Sequence, residues 1–287
     1  MKQYLSLIKF SHTVFAMPFA LLGFFLAWLE TGDAFSWRLL FLVVLCMIFA
    51  RSAAMAFNRY LDRRIDSENP RTRQREIPAG VIRPGSALVF TLANALLFVA
   101  ATWFINPLCF ALSPVALAVI LGYSYTKRFT YLCHFILGLG LSLAPIGAYL
   151  AGGGHFDAIP LLYSFAVLCW VAGFDIIYAL QDEEFDKSMD LNSIPVRLGR
   201  NGALRLSRLL HLLSASGIGI AAALLTRAYP QFEWIHLAAA GVFMAMLLYQ
   251  HSLVKPNDLS KVNLAFFTTN GIASLAFSGL MILDIFV

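Results

Sequence analysis

Two acidic clusters stand inside otherwise apolar sequence: Asn58, Asp62 and Asp66 in the first, Asp182 and Asp186 in the second. The aspartates of the first recur in the second at a constant offset of 120 residues, 62 to 182 and 66 to 186. Carboxylates four residues apart stand on one face of a helix, offset by roughly 40°. Two such faces brought together make a cage of hard oxygen ligands, with Asn58 as a neutral oxygen ligand, and that chemistry calls for Mg2+ carrying a phosphorylated substrate.

Basic and aromatic residues flank both clusters. Arg71 and Arg75 follow the first and are placed to meet diphosphate charge that a metal does not neutralise, since arginine offers forked donors to phosphate oxygens. Asp175 and Tyr178 precede Asp182 by two turns and one turn, on the same helical face. Asp175 lies deepest and reads either as a structural acid paired with a buried base or as part of the site. Glu183, Glu184 and Asp190 read as a solvated face, with Asp190, which continues the i+4 ladder, open to reaching the cage. Tyr123, Lys127 and Arg128, in the run Tyr123-Ser124-Tyr125-Thr126-Lys127-Arg128, end an apolar stretch as topology charges or as a lid over the diphosphate. Lys9, His12 and Arg51 either snorkel or hold the carboxylate of an acidic co-substrate. Arg51 precedes Asn58 by two helical turns and is the first choice.

The elements that must position these groups are membrane helices. Hydrophobic residues make up 60% of the 287, charged residues only 13%, and mean hydropathy is +0.74, outside the range of soluble domains. Nine apolar stretches approach the roughly 20 residues needed to span a bilayer: 15–28, 39–57, 87–105, 107–125, 135–151, 159–180, 209–226, 235–253 and 264–287. The expected fold is all-α and polytopic: about nine transmembrane helices around a central cavity, with the two Asp-rich motifs at its cytoplasmic side. Residues 1–287 read as one membrane-embedded domain, open to division into two four-helix halves plus a ninth helix. No small-residue cleavage site follows the first span, so it does not read as a removable signal.

With a cytoplasmic N-terminus, nearly every Lys and Arg falls on the cytoplasmic side, Arg38 and Arg227 excepted. That asymmetry makes the net charge of +5 a topology signal rather than a sign of nucleic-acid binding. Cys46, Cys109, Cys133 and Cys169 lack metal-ligand or redox-pair spacing and read as small core residues.

Taken together, these residues resemble the UbiA-type intramembrane prenyltransferases over essentially the whole chain. Asn58-xxx-Asp62-xxx-Asp66 matches the first motif of that family, and Asp182-xxx-Asp186 matches the second. Asn69-Pro70-Arg71-Thr72, the Tyr123 to Arg128 lid run and Ser193-Ile194-Pro195-Val196-Arg197-Leu198-Gly199 match as well. The resemblance implies Mg2+-dependent transfer of a polyprenyl group from its diphosphate to a small aromatic acid, through an allylic cation walled by aromatic rings. It implies the bilayer as the setting, with the site facing the cytoplasm of a bacterial inner membrane. Asp175 and Tyr178 are then the candidates for catalytic groups.

The nearest family activity acts on 4-hydroxybenzoate in ubiquinone biosynthesis. Two segments depart from it: Arg75-Glu76-Ile77-Pro78-Ala79-Gly80, and the opening Lys9 to Phe19, which resembles a subgroup found with a menaquinone route. A dihydroxynaphthoate is therefore the alternative acceptor. A transporter of phosphorylated or anionic solutes is the rival from another class, and it would place charge at the midplane between repeats with an exit on the far side.

Overall fold

The computed structural model describes residues 2–8 and 15–287, so Lys9 and His12 lie outside the described residues. Twelve α-helices follow in order among those residues: α1 (Lys2–Leu7), α2 (Met17–Thr31), α3 (Trp37–Leu61), α4 (Arg63–Glu68), α5 (Pro84–Trp103), α6 (Pro107–Thr126), α7 (Cys133–Gly153), α8 (Ala158–Ala179), α9 (Glu183–Ser188), α10 (Ile194–Ala228), α11 (Ile235–Leu253) and α12 (Thr269–Phe286). A 3-10 turn, Leu180–Asp182, joins α8 to α9, and a π-helical turn, Leu264–Thr268, leads into α12.

Helices dominate because lipid offers no partner to backbone N–H and C=O groups, and a helix satisfies them within one segment. Polar residues punctuate the ends. Ser36, Asn106, Asp157 and Ser193 each accept a backbone N–H at the start of a long helix, and Pro stands in the first turn of α2, α5, α6 and α10. Gly199 (φ 65°, ψ 174°) breaks α10 near its start, a backbone conformation open to glycine and costly to other residues.

Each of the nine expected spans falls on a helix, and seven of these helices are long and apolar enough to cross a membrane. The other two are α2, with 15 residues, and α11, whose apolar run is diluted by His236, Gln250 and His251. Consecutive long helices pack against one another, and α12 returns to α2, which also lies along α7. Glycine allows the closest approaches. A Cβ on Gly23 would stand 2.1 Å from the Pro145 carbonyl oxygen, and one on Gly138 would stand 2.5 Å from that of Leu168. The core between α2, α8, α11 and α12 is aromatic: Phe19, Trp170, Phe243 and Phe277 meet with ring centroids 5.4–6.3 Å apart. All four cysteines are free thiols.

Candidate active site

Both aspartate motifs depart from a continuous helix, and they do so in the same way. α3 ends at Asp62 (φ −86°, ψ 4°) and α4 begins after it; the 3-10 turn ends at Asp182 (φ −103°, ψ 4°) and α9 begins after it. Both residues sit in the bridge region between the β and α wells, where active-site residues recur. On either side of these breaks, all four carboxylates line one cavity of about 300 Å³.

Carboxylates lining one protected cavity call for cations, and three of the four meet them. Asp62, 2% exposed, accepts from Lys127 Nζ at 2.5 Å and Arg128 Nη2 at 2.9 Å, with Asn58 Nδ2 at 3.1 Å. Asp66, 4% exposed, pairs with Arg75 at 2.7 Å, while its Oδ2 is buried without a partner. Asp182 takes Arg71 through both oxygens, with Nε at 3.0 Å, and accepts from Asn69 Nδ2 at 3.1 Å. Arg71 also donates to the Tyr178 hydroxyl at 2.9 Å and lies over that ring. Burial alone would lower the pKa of Arg71, but Asp182 and Tyr178 together hold it above the ordinary value. Asp186 lines the cavity and makes no ion pair among the described residues.

Asp175 carries the base that its depth required. Its Oδ2 lies 2.7 Å from His134 Nδ1, and His134 Nε2 accepts the backbone N–H of Ile194 at 3.3 Å. With Nε2 facing the Ile194 N–H, Nδ1–H is the donor to Asp175. Tyr178 is backed by Phe266, stacked at 4.1 Å. The π-helical turn that carries Phe266 is held from behind. Gln250 Nε2 donates to the Ala265 carbonyl at 2.7 Å, Asn270 Nδ2 donates to the Phe266 carbonyl at 2.9 Å, and Trp170 Nε1 donates to Asn270 Oδ1 at 3.1 Å. These partners take up carbonyls that a π-turn removes from the regular ladder.

Of the predicted groups, Arg51, Asn58, Asp62, Asp66, Arg71, Arg75, Tyr123, Lys127, Asp175, Tyr178, Asp182 and Asp186 line the one cavity. Arg128 is not on its wall but stands behind Asp62, bridging the carbonyls of Ser124 and Leu61. Glu183 departs from its expected solvated position: it is 7% exposed and held by Lys187 and Arg200, which ties α9 to α10. Sequence reasoning did not assign Asn69 or His134 to the site. Asn69 stood in a quoted run, but its reach to Asp182 crosses 113 residues of chain and has no local signal.

A second cavity, about 350 Å³, continues from the first through α3, α5, α6 and α7. Arg51, Met55, Tyr123, Leu137 and Leu141 line both. Its remaining wall is almost wholly apolar, from Val43 and Met47 through Phe98 and Leu112 to Ala148 and Phe156.

A membrane-embedded helical bundle in which a charged, carboxylate-ringed chamber runs into an apolar one is built to hold an amphiphile with an anionic head. Comparison with known proteins gives the class its name. The UbiA prenyltransferase family matches residues 16–272, and the chain belongs to it. A 4-hydroxybenzoate octaprenyltransferase of Aeromonas hydrophila is 31% identical over 251 residues, 86% of this chain and 83% of that one. The corresponding enzyme of Nitrosomonas europaea is 29% identical, over 90% of this chain and 87% of its own. Among solved structures, the apo UbiA homologue of Aeropyrum pernix K1 superposes with a TM-score of 0.82 at 29% identity, covering 95% of this chain and 98% of that one. The fold is also that of an Archaeoglobus fulgidus UbiA homologue bound to GPP and Mg2+, with a TM-score of 0.74 at 21% identity, over 99% of this chain and 100% of that one.

Proposed function

We propose that this protein transfers a polyprenyl group from polyprenyl diphosphate to 4-hydroxybenzoate, with Mg2+, from a site facing the cytoplasm of a bacterial inner membrane. The observation that carries the reading is the junction of the two cavities, where a charged chamber meets an apolar one at Arg51, Met55, Tyr123, Leu137 and Leu141. The Lys and Arg asymmetry supports the cytoplasmic side. The aromatic acid as acceptor draws its support from the relatives' activity.

The donor set fits a hard divalent ion: every candidate ligand is an oxygen, and Asp66 Oδ2 is buried with no protein partner. Among the described residues no three His, Cys, Asp or Glu side chains converge on one metal position. Mg2+ is bound in such sites by one or two carboxylates together with substrate phosphate oxygens, so this arrangement suits it. Asp62 and Asp66 with Asn58 Oδ1, and Asp182 and Asp186, would each offer a carboxylate pair to a divalent ion, which when bound would supply Lewis-acid stabilisation of the leaving diphosphate.

The chain's own side chains do the rest. Arg71, Arg75 and Lys127 reach the diphosphate oxygens, with Tyr123 on the wall beside them, and Arg128 keeps Asp62 in place. The apolar chamber keeps water from the allylic carbon when its C–O bond breaks and the electron pair leaves with the diphosphate. Arg51 pairs with the acceptor carboxylate and turns the ring so that a carbon ortho to its hydroxyl attacks. Asp175, oriented by His134, takes the proton that the ring then loses. Tyr178 holds Arg71 in register. The deciding experiment incubates purified protein with a prenyl diphosphate, Mg2+ and 4-hydroxybenzoate or a dihydroxynaphthoate, and measures released diphosphate and prenylated acid. Product with dihydroxynaphthoate alone would reassign the acceptor, and no product with either would sink the reading.

A further inference from the structure

Among the described residues, Arg59 is the one cation of the polar cavity that neither the motifs nor the reaction just described uses. It is 6% exposed, lines the charged chamber, and makes no hydrogen bond or ion pair with the described residues; its Nε is fully buried without an acceptor. The nearby acids bond elsewhere: Asp62 to Lys127 and Arg128, Asp66 to Arg75 through one oxygen, and Glu76 to the Ser6 hydroxyl at 2.5 Å through one oxygen; the second oxygens of Asp66 and Glu76 are buried, and neither reaches hydrogen-bond distance of Arg59. A buried guanidinium with acids nearby but none hydrogen-bonded to it is costly, and an arriving anion that accepts from its donors would offset that cost.

The position selects which anion. Arg51 and Arg59 are both buried at Nε without partners, and both stand on α3. Eight residues separate them, about 12 Å along the axis. Arg51 lines the junction with the apolar chamber; Arg59 lines only the charged chamber, beside Asn58, Asp62 and Asp66. A prenyl diphosphate with its tail in the apolar chamber has its terminal phosphate farther from the hydrocarbon, in the chamber that Arg59 lines. We propose that Arg59 binds the terminal phosphate of the prenyl diphosphate, as a positioning residue for the leaving group. This rests on the function proposed above.

The test follows thermal unfolding and ligand binding in wild type, Arg59→Met and Arg59→Lys, each in detergent with Mg2+. The probes are a non-cleavable prenyl thiolodiphosphate and the matching prenyl monophosphate. Because Arg59→Met removes a buried unpaired charge, its unliganded midpoint should equal or exceed wild type. Its affinity for the thiolodiphosphate should fall about tenfold to a hundredfold, the size of one charge-assisted contact, with monophosphate affinity unchanged. Arg59→Lys keeps the charge but not the fork and should show a smaller loss of the same kind. A lowered midpoint with intact thiolodiphosphate affinity would make Arg59 a structural residue. Equal losses for both probes would exclude the terminal phosphate. If wild type binds neither probe, the functional reading fails; if wild type binds and Arg59 is indifferent, only this inference does.

Discussion

Replacing Asp62 by Asn should separate what this carboxylate does for stability from what it does for catalysis. The side chain is 2% exposed and meets Lys127 at 2.5 Å, Arg128 at 2.9 Å and Asn58 at 3.1 Å. Asn keeps the shape but removes the charge, and its amide group turns a donor toward at least one of three donors. Two charge-assisted bonds at about 1.5–3 kcal/mol each set a ceiling of roughly 6 kcal/mol. The Lys127 and Arg128 side chains are 29% and 30% exposed, so water recovers part of their solvation. The net cost should therefore be about 2–3 kcal/mol, read as a lowered midpoint in detergent. Activity should fall further, by more than the roughly 10–100-fold seen when a group merely supporting a metal ligand is lost. In the double variant Asp62→Asn, Lys127→Met, the facing donor is gone, so most of the stability should return with a coupling of about 1–3 kcal/mol. Turnover should not return. Recovery of turnover in the double variant, or turnover near wild type in Asp62→Asn alone, would refute the assignment of this carboxylate to the diphosphate site.

Neutralising Arg51 as Arg51→Gln should raise KM for 4-hydroxybenzoate about tenfold or more while leaving KM for the prenyl diphosphate near wild type; steady-state kinetics with each substrate varied would expose an equal loss in both. Asp175→Asn should lower kcat with little change in either KM, and His134→Ala should mimic it in part; a pure KM effect would remove Asp175 from proton transfer. Asn270→Leu unties the π-helical turn and leaves the Phe266 carbonyl and Trp170 Nε1 without their partner, costing about 1–3 kcal/mol in thermal stability. Since Phe266 backs Tyr178, turnover should fall with it, and stability loss with unaltered kinetics would disconnect the turn from the site.

Legibility in the sequence was uneven for physical reasons. Membrane insertion, helical class and the positions of the spans follow from hydropathy, because lipid forces each segment to satisfy its own backbone. The nine stretches accordingly fall on helices, while α2 and α11 show that length and apolarity alone do not settle the number that cross. The Asp62/Asp66 and Asp182/Asp186 spacing is local information, a statement about angle around one axis. The kinks at Asp62 and Asp182 were not legible, since i, i+4 spacing alone describes an unbroken helix, and here the turn tightens where the two motifs face one another.

What the chain carries in its own order is the chemistry available: hard oxygen donors in pairs, arginines and lysines close behind them, and apolar runs that bury them in a bilayer. What only the tertiary structure decided is pairing. Whether Arg71 meets Asp182, Asn69 spans the two motifs or His134 reaches Asp175 depends on how helices 41 to 113 residues apart come together. The same packing leaves the Nε of Arg51 and of Arg59 buried without an acceptor among the described residues, although by sequence they are two arginines among many on α3 and its neighbours. Spacing sets where a side chain points on its own helix, and only packing sets what it finds there.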